Sequence, residues 1–187
     1  EHNEFSRTPQ LIEMMKTGTN IALVTDAGMP GISDPGAYLV DSAISNGLKV
    51  VSIPGPSAVV AALSVSGFSF NQFVFVGFIP RKGKKRREIL KDIANDMKVT
   101  VIYESPYRLV KTLEDLIEVA GGTRKAVITR ELTKIHEEIS KGSLDDLLQK
   151  FSKKKVKGEI TIVVEGKSKG KGHQVQINDA PVKSYND

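Results

Sequence analysis

Apolar, β-rich runs alternate with segments whose apolar residues recur at helical spacing. Residues 20–25 (NIALVT), 48–53 (LKVVSI), 73–78 (FVFVGF), 98–103 (KVTVIY), 125–129 (KAVIT) and 159–165 (EITIVVE) read as strands. Several are continuously apolar, the pattern of sheets covered on both faces. Between them Ile89, Leu90, Ile93, Ala94 and Met97 fall on one helical stripe. Leu109, Val110, Leu113, Leu116 and Ile117 form a second, and Leu144, Leu147, Leu148 and Phe151 a third. Helix starts are expected at Asp34-Pro35 and Ser105-Pro106, each a capping side chain before a proline, and at Ser143, with Asp146 completing a capping box. This alternation predicts an α/β protein.

Gly77, Pro80 and Gly83 interrupt the pattern. The chain therefore divides into an N-terminal lobe at 1–76, a second lobe at 77–167, and a basic, polar tail at 168–187 without periodicity, expected to be mobile. A length of 187 residues suffices for two compact lobes without staples. Cysteine is absent, which removes disulfides, thiolate catalysis and cysteine-held metals. Three dispersed histidines, His2, His136 and His173, make no metal centre, so none is expected. No apolar run spans a membrane and no secretory leader opens the chain, so a cytoplasmic location is expected.

Charge changes the picture. The chain carries a net +5, yet Arg81, Lys82, Lys84, Lys85, Arg86 and Arg87 alone supply six positive charges, leaving a near-neutral body. A second cluster spans 153–157. Such patches suit a polyanion, or stand as solvated surface.

Two glycine- and proline-rich turns follow strand ends, where open α/β sheets bind ligands. VTDAGMPGISDPG (24–36) offers the carboxylates of Asp26 and Asp34; its other reading is a tight loop with Asx-turns. IPGPSA (53–58) leads into an apolar helix whose first amides, with Ser57, can meet a carboxylate, or it is a rigid turn. Neither a dinucleotide fingerprint nor a P-loop is present.

Taken in order, VTDAGMPGISDPG, IPGPSA, FVGFIPRKGKKRRE, VIYESPYRL, ITRELTKIHEEISKGSL and KGEITIVVEG resemble the successive motifs of the ribosomal RNA small subunit methyltransferase I family, from residue 21 to about 166. The resemblance implies a two-lobed tetrapyrrole-methylase-like fold, each lobe a mostly parallel sheet flanked by helices, with the cofactor cleft between lobes. It implies S-adenosylmethionine as methyl donor, the 2′-hydroxyl of a cytidine in 16S rRNA or the small ribosomal subunit as acceptor, and a homodimer. Carried over residue by residue, it puts Asp26, Ala27, Gly28, Ile32, Ser33, Asp34 and Pro35 against the cofactor. Pro54, Gly55, Pro56, Ser57 and Ala58 form the neighbouring wall, and Tyr103 faces them. Glu104, Glu131 and Lys134 are the candidates for taking the hydroxyl proton, and the six basic residues at 81–87 for contacting RNA phosphates. A TPIGNL-like glycine loop and an AEDTR-like segment of the family do not occur here, nor does its C-terminal helical extension. Part of the first sheet and of the cleft is therefore expected to be missing from this sequence. Two alternatives stay open: a methyltransferase acting on a tetrapyrrole, and an RNA-binding fragment that holds no cofactor.

Overall fold

The structure, a computed structural model, describes residues 3–168. The tail assigned to 168–187 lies, apart from Ser168, outside them. Three helices come first: α1 (Glu4–Lys16), α2 (Ala37–Ser45) and α3 (Ala58–Ser66). Then follow β1 (Phe73–Phe78), α4 (Lys84–Asn95), β2 (Val99–Glu104), α5 (Leu109–Ala120), β3 (Lys125–Arg130), β4 (Glu138–Ser143), α6 (Leu144–Ser152) and β5 (Ile160–Val164).

The five strands form one sheet in the order β1-β2-β5-β3-β4. The three inner strands are the buried ones, and Val101, Ile102, Val127, Ile128, Ile162 and Val163 are fully buried. Sequence order and two-sided burial agree because a strand with neighbours on both edges and layers on both faces has no solvent side. One face carries α4, α5 and α6 through Leu90, Ile93, Leu109, Leu113, Leu116, Leu144, Leu147 and Phe151. The other face carries α3 through Val59, Ala62 and Leu63, packed on Val99, Val101, Val127 and Val163. Each such side chain removed from water contributes about 1.5–3 kcal/mol.

Several expectations need correction. Only β1 and β2 run parallel; β2–β5, β5–β3 and β3–β4 are antiparallel, so the sheet is mixed rather than mostly parallel. The boundary at 76/77 cuts through β1, which belongs entirely to the sheet. β4 (EISKGS) escaped the strand reading because an edge strand can alternate polar and apolar residues weakly. Residues 20–25 and 48–53 form no strand, and Val24 and Ile53 stand 81% and 77% exposed. Neither expected proline-led start holds, since α2 begins at Ala37 behind Gly36 and α5 at Leu109 behind Arg108. The Ser143–Asp146 capping box forms as expected.

The first helices are joined by a side chain. The Glu4 carboxylate accepts from the amides of Gly36 and Tyr38 at 2.9 and 3.2 Å, taking over the orphan donors of α2. Phe5 packs on Tyr38 with ring centroids 4.6 Å apart.

Candidate active-site cleft

Because β1 and β2 are parallel and β5 and β3 antiparallel to their neighbours, Phe78, Glu104, Arg130 and Ile160 come to one end of the sheet. Three loops leave there: 79–83, 105–108 and 131–137. The two turns of the first lobe approach the same end. A side-chain carbon placed on Gly55 would lie 3.5 Å from Met29 Cγ, so the turns at 24–36 and 53–58 touch. The equivalent point on Gly77 lies 3.4 Å from Ser33 Oγ, so the first turn also reaches β1. Thr25 Oγ1 donates to Asp34 Oδ2 at 3.2 Å across the base of that turn.

Tyr103 stands opposite. Burial pushes its phenol above the usual value; a backbone hydrogen bond from Val59 opposes this, and the negative charges of Asp34 and Glu159 add to the rise. The ring of Phe75 meets Tyr103 edge-on at 4.8 Å and that of Phe78 at 5.7 Å. Both phenylalanines reach the same tyrosine because β1 is bulged: Phe75 pairs with Val101 but Phe78 with Tyr103, three residues against two. Gly77 supplies the extra position with φ +63°, a conformation that a side chain disfavours. Three non-glycine residues also have positive φ, namely Ser33 (61°), Glu131 (50°) and Thr133 (65°). All lie in loops at this end, and such strain concentrates at ligand sites.

The expected cofactor residues thus come together: Asp26, Ala27, Gly28 and Ile32 to Pro35 in one exposed turn, Pro54 to Ala58 in the adjoining one, with Tyr103 across from both. α3 starts behind Ser57 without a side-chain cap, and of its first-turn amides that of Val59 goes to the Tyr103 phenol.

The expected proton acceptors fare differently. Strand side chains alternate, so Glu104, next to Tyr103, points into the helix layer on the other face. Its fully buried carboxylate accepts from Ser105 N at 2.7 Å and Thr112 Oγ1 at 2.6 Å, and pairs with Arg108 Nε at 3.1 Å. That removes Glu104 from the cleft and makes it a structural anchor. Glu131 accepts from Glu159 N at 2.8 Å and Lys134 Nζ at 3.1 Å; the Glu159 amide, then Lys134, hold its carboxyl below the ordinary value. Lys134 is pushed up by Glu159 and then Glu131, and remains a cation.

The basic segment also divides. Arg81, Lys82, Lys84, Lys85 and Arg87 are exposed, but Arg86 is buried. Arg86 Nη2 pairs with Asp115 Oδ2 at 2.5 Å, and its Nη1 donates to the Pro80 carbonyl at 2.9 Å. Arg86 is thereby withdrawn from the phosphate-contacting set, since its donors hold the protein together. A second arginine, Arg108, donates to the Ile79 carbonyl. The loop after β1 is pinned twice. Arg108 carried no signal of this role in sequence, because one arginine in a turn reveals no partner. The four cations in the first turn of α4 face the positive end of its dipole, an unfavourable placement that a bound anion relieves.

A separate cleft of about 860 Å³ opens at the opposite end of the sheet, lined by Asn71, Asn95, Lys98 and neighbours. It lies at the N-terminal ends of β1 and β2, away from the strand ends where open α/β sheets bind ligands.

A two-lobed α/β arrangement with a turn-lined cleft at the strand ends defines a class, and the comparisons specify it. The profile of the Tetrapyrrole (Corrin/Porphyrin) Methylases matches residues 2–148. A "Ribosomal RNA small subunit methyltransferase I" of Thermotoga maritima is 45% identical over 167 residues, 89% of this chain and 74% of the relative. Its namesake in Mycobacterium tuberculosis is 47% identical over 163 residues, covering 87% of this chain and 57% of the relative. The chain belongs to the tetrapyrrole methylase family and, within it, to the ribosomal RNA small subunit methyltransferase I family. It spans less than two thirds of the length of most of these relatives, 60% for that of Synechocystis. Among solved structures, the methyltransferase CobJ superposes with a TM-score of 0.66 at 20% identity, over 87% of this chain and 71% of that one. A uroporphyrin-III C-methyl transferase from Thermus thermophilus, complexed with S-adenyl homocysteine, gives 0.62 at 14% identity, over 86% and 72%. These two likenesses establish the fold.

Proposed function

We propose that the chain is the major part of an S-adenosylmethionine-dependent methyltransferase that modifies the 2′-hydroxyl of a cytidine in small-subunit rRNA. The observation that carries this reading is the meeting of the two first-lobe turns with Tyr103, beside a pinned loop and helix start that together bear five exposed cations.

The donor set fits the cofactor. Asp26 and Asp34 suit its ammonium group, the side-chain-uncapped start of α3 its carboxylate, and Phe75 and Tyr103 the flat face of a purine. When bound, S-adenosylmethionine supplies a methyl group on a sulfonium, a leaving group already activated. The protein's remaining tasks are alignment and acceptance of the hydroxyl proton. Of the three candidates, Glu131 is the one whose charge suits that acceptance: it stays ionised at neutral pH and lies at the cleft end. Lys134, kept protonated, suits an RNA phosphate. Arg81, Lys82, Lys84, Lys85 and Arg87 extend that phosphate contact, and the family relationship supports pairing of two copies through the apolar surface of the first lobe.

The test is methyl transfer from labelled S-adenosylmethionine to small subunits, to free rRNA and to uroporphyrin. Label in rRNA at a site resistant to alkaline cleavage supports ribose methylation, because the modified 2′-oxygen cannot attack its phosphate. Label in uroporphyrin alone favours the tetrapyrrole alternative, against which the basic loop argues. Failure of calorimetry to detect S-adenosylmethionine binding identifies a fragment that lacks a working cleft. Glu131→Gln is expected to lower kcat with little change in KM; unchanged kcat removes Glu131 from the chemistry.

A further inference from the structure

We propose that Phe78 and Tyr107 form a stacking platform for unpaired bases of the RNA whose phosphates the 81–87 segment grips. The inference rests on the RNA reading above and adds the part of the substrate that a basic loop alone does not recognise.

Phe78 ends β1 and is 55% exposed; Tyr107 lies in the turn after β2 and is 91% exposed. Parallel pairing brings those two chain segments to the same end of the sheet. Arg108, the residue after Tyr107, donates to the carbonyl of Ile79, the residue after Phe78, so the two turns are stitched together next to the rings. Arg108 is itself held by the buried Glu104, and Arg86 fixes Pro80. The two turns that carry the rings are therefore fixed to each other before a base arrives, which lowers the cost of ordering them.

Large aromatic surface left in water is unfavourable unless something covers it. Here the adjoining charge is positive: Arg81 and Lys82 follow Phe78 by three and four residues, and Lys84, Lys85 and Arg87 continue the patch. Aromatic faces flanked by cations match an unstacked nucleotide, with a flat apolar base and an anionic backbone. An acidic protein partner would engage the cations but offers nothing to the rings. A duplex would engage the phosphates and keep its bases stacked out of reach. The occupant is single-stranded RNA.

The chain contains no tryptophan, so Phe78→Trp and Tyr107→Trp each install a single fluorescent reporter. Each variant is titrated with a short unstructured oligoribonucleotide and, separately, with heparin, a polyanion without bases. Quenching of both reporters by RNA and not by heparin is the expected result. Phe78→Ala and Tyr107→Ala should each weaken oligonucleotide binding about tenfold or more while leaving the salt dependence intact. Replacing Lys84, Lys85 and Arg87 by alanine should instead flatten that dependence by about 0.7 per lost contact. Equal responses to RNA and heparin, or alanine variants that bind like the parent chain, overturn the platform. If the parent chain still binds RNA with a steep salt slope, the platform alone fails; if it binds none, the RNA reading fails with it.

Discussion

Residues 20–25 (NIALVT) and 160–164 (ITIVV) are written in nearly the same alphabet and meet opposite fates. The second is β5, hydrogen-bonded to β2 on one edge and β3 on the other, with all five residues buried. The first pairs with no strand among the described residues and leaves Leu23 and Val24 exposed. Strand propensity belongs to a segment, but a strand belongs to a pair: ladder bonds and cross-strand packing come only with neighbours. The second lobe supplies them; among the described residues the first does not.

The largest expected effect tests that asymmetry directly. Leu113→Ala, in the helix layer over the sheet, should cost about 2–5 kcal/mol in denaturant unfolding. Val51→Ala, at a 62% exposed position of the first lobe, should stay within about 0.5 kcal/mol. Comparable losses at the two positions would mean that both lobes have equally consolidated cores. Hydrogen exchange sharpens the same contrast: amides of β2, β3 and β5 should exchange only through global opening, and those of 20–25 and 48–53 far faster.

A third expectation concerns acid. Glu138 on β4 is bonded to Lys154, Lys150 and Arg130, which together outweigh its burial and bring its carboxyl down from 4.5 to about 2. The resulting stability is fully present above about pH 4.5 and lost as the pH falls toward 2. Glu138→Gln should flatten the stability curve in that window without altering residues 20–53. An unchanged acid limb would show that the three cations stabilise nothing measurable.

The smallest stability change is expected for Asp34→Ala. α2 is preceded by Gly36 and its free amides go to Glu4, so no cap is lost, while affinity for S-adenosylmethionine should drop. A lower melting temperature with unchanged affinity would reassign Asp34 to folding.

What could be read from sequence followed from period and partner. All five inner and edge strands except β4 were visible, because apolar runs and helical stripes depend on local pattern. The two turns that meet at this end of the sheet were visible as glycine- and proline-rich segments, although no strand precedes either among the described residues. Invisible were the features that depend on a distant atom: Arg86 turning inward to Asp115, Arg108 reaching Ile79, and Glu104 facing helices instead of cofactor. A run of six cations looks uniform in one dimension, and the fold splits it into one internal brace and five surface charges. Positive φ at Ser33, Glu131 and Thr133 left no trace in residue type either.

The bulge at Gly77 makes β1 a counting device. Without it, Phe75 and Phe78, an odd number of residues apart, would lie on opposite sides of the sheet. Flattening the bulge with Gly77 kept in the ladder would reverse the parity of everything after it, driving the Phe78 ring toward the helix layer and swinging the buried Ile79 out to the cleft, whereas deleting Gly77 would leave a regular strand with Phe75 and Phe78 on one face. Identity at this point is thus stricter than length. A homologue with one residue fewer in this strand could keep Phe78 and Ile79 as they are, because a regular strand already puts residues two apart on one face; one with the same length and no glycine at the bulge could not.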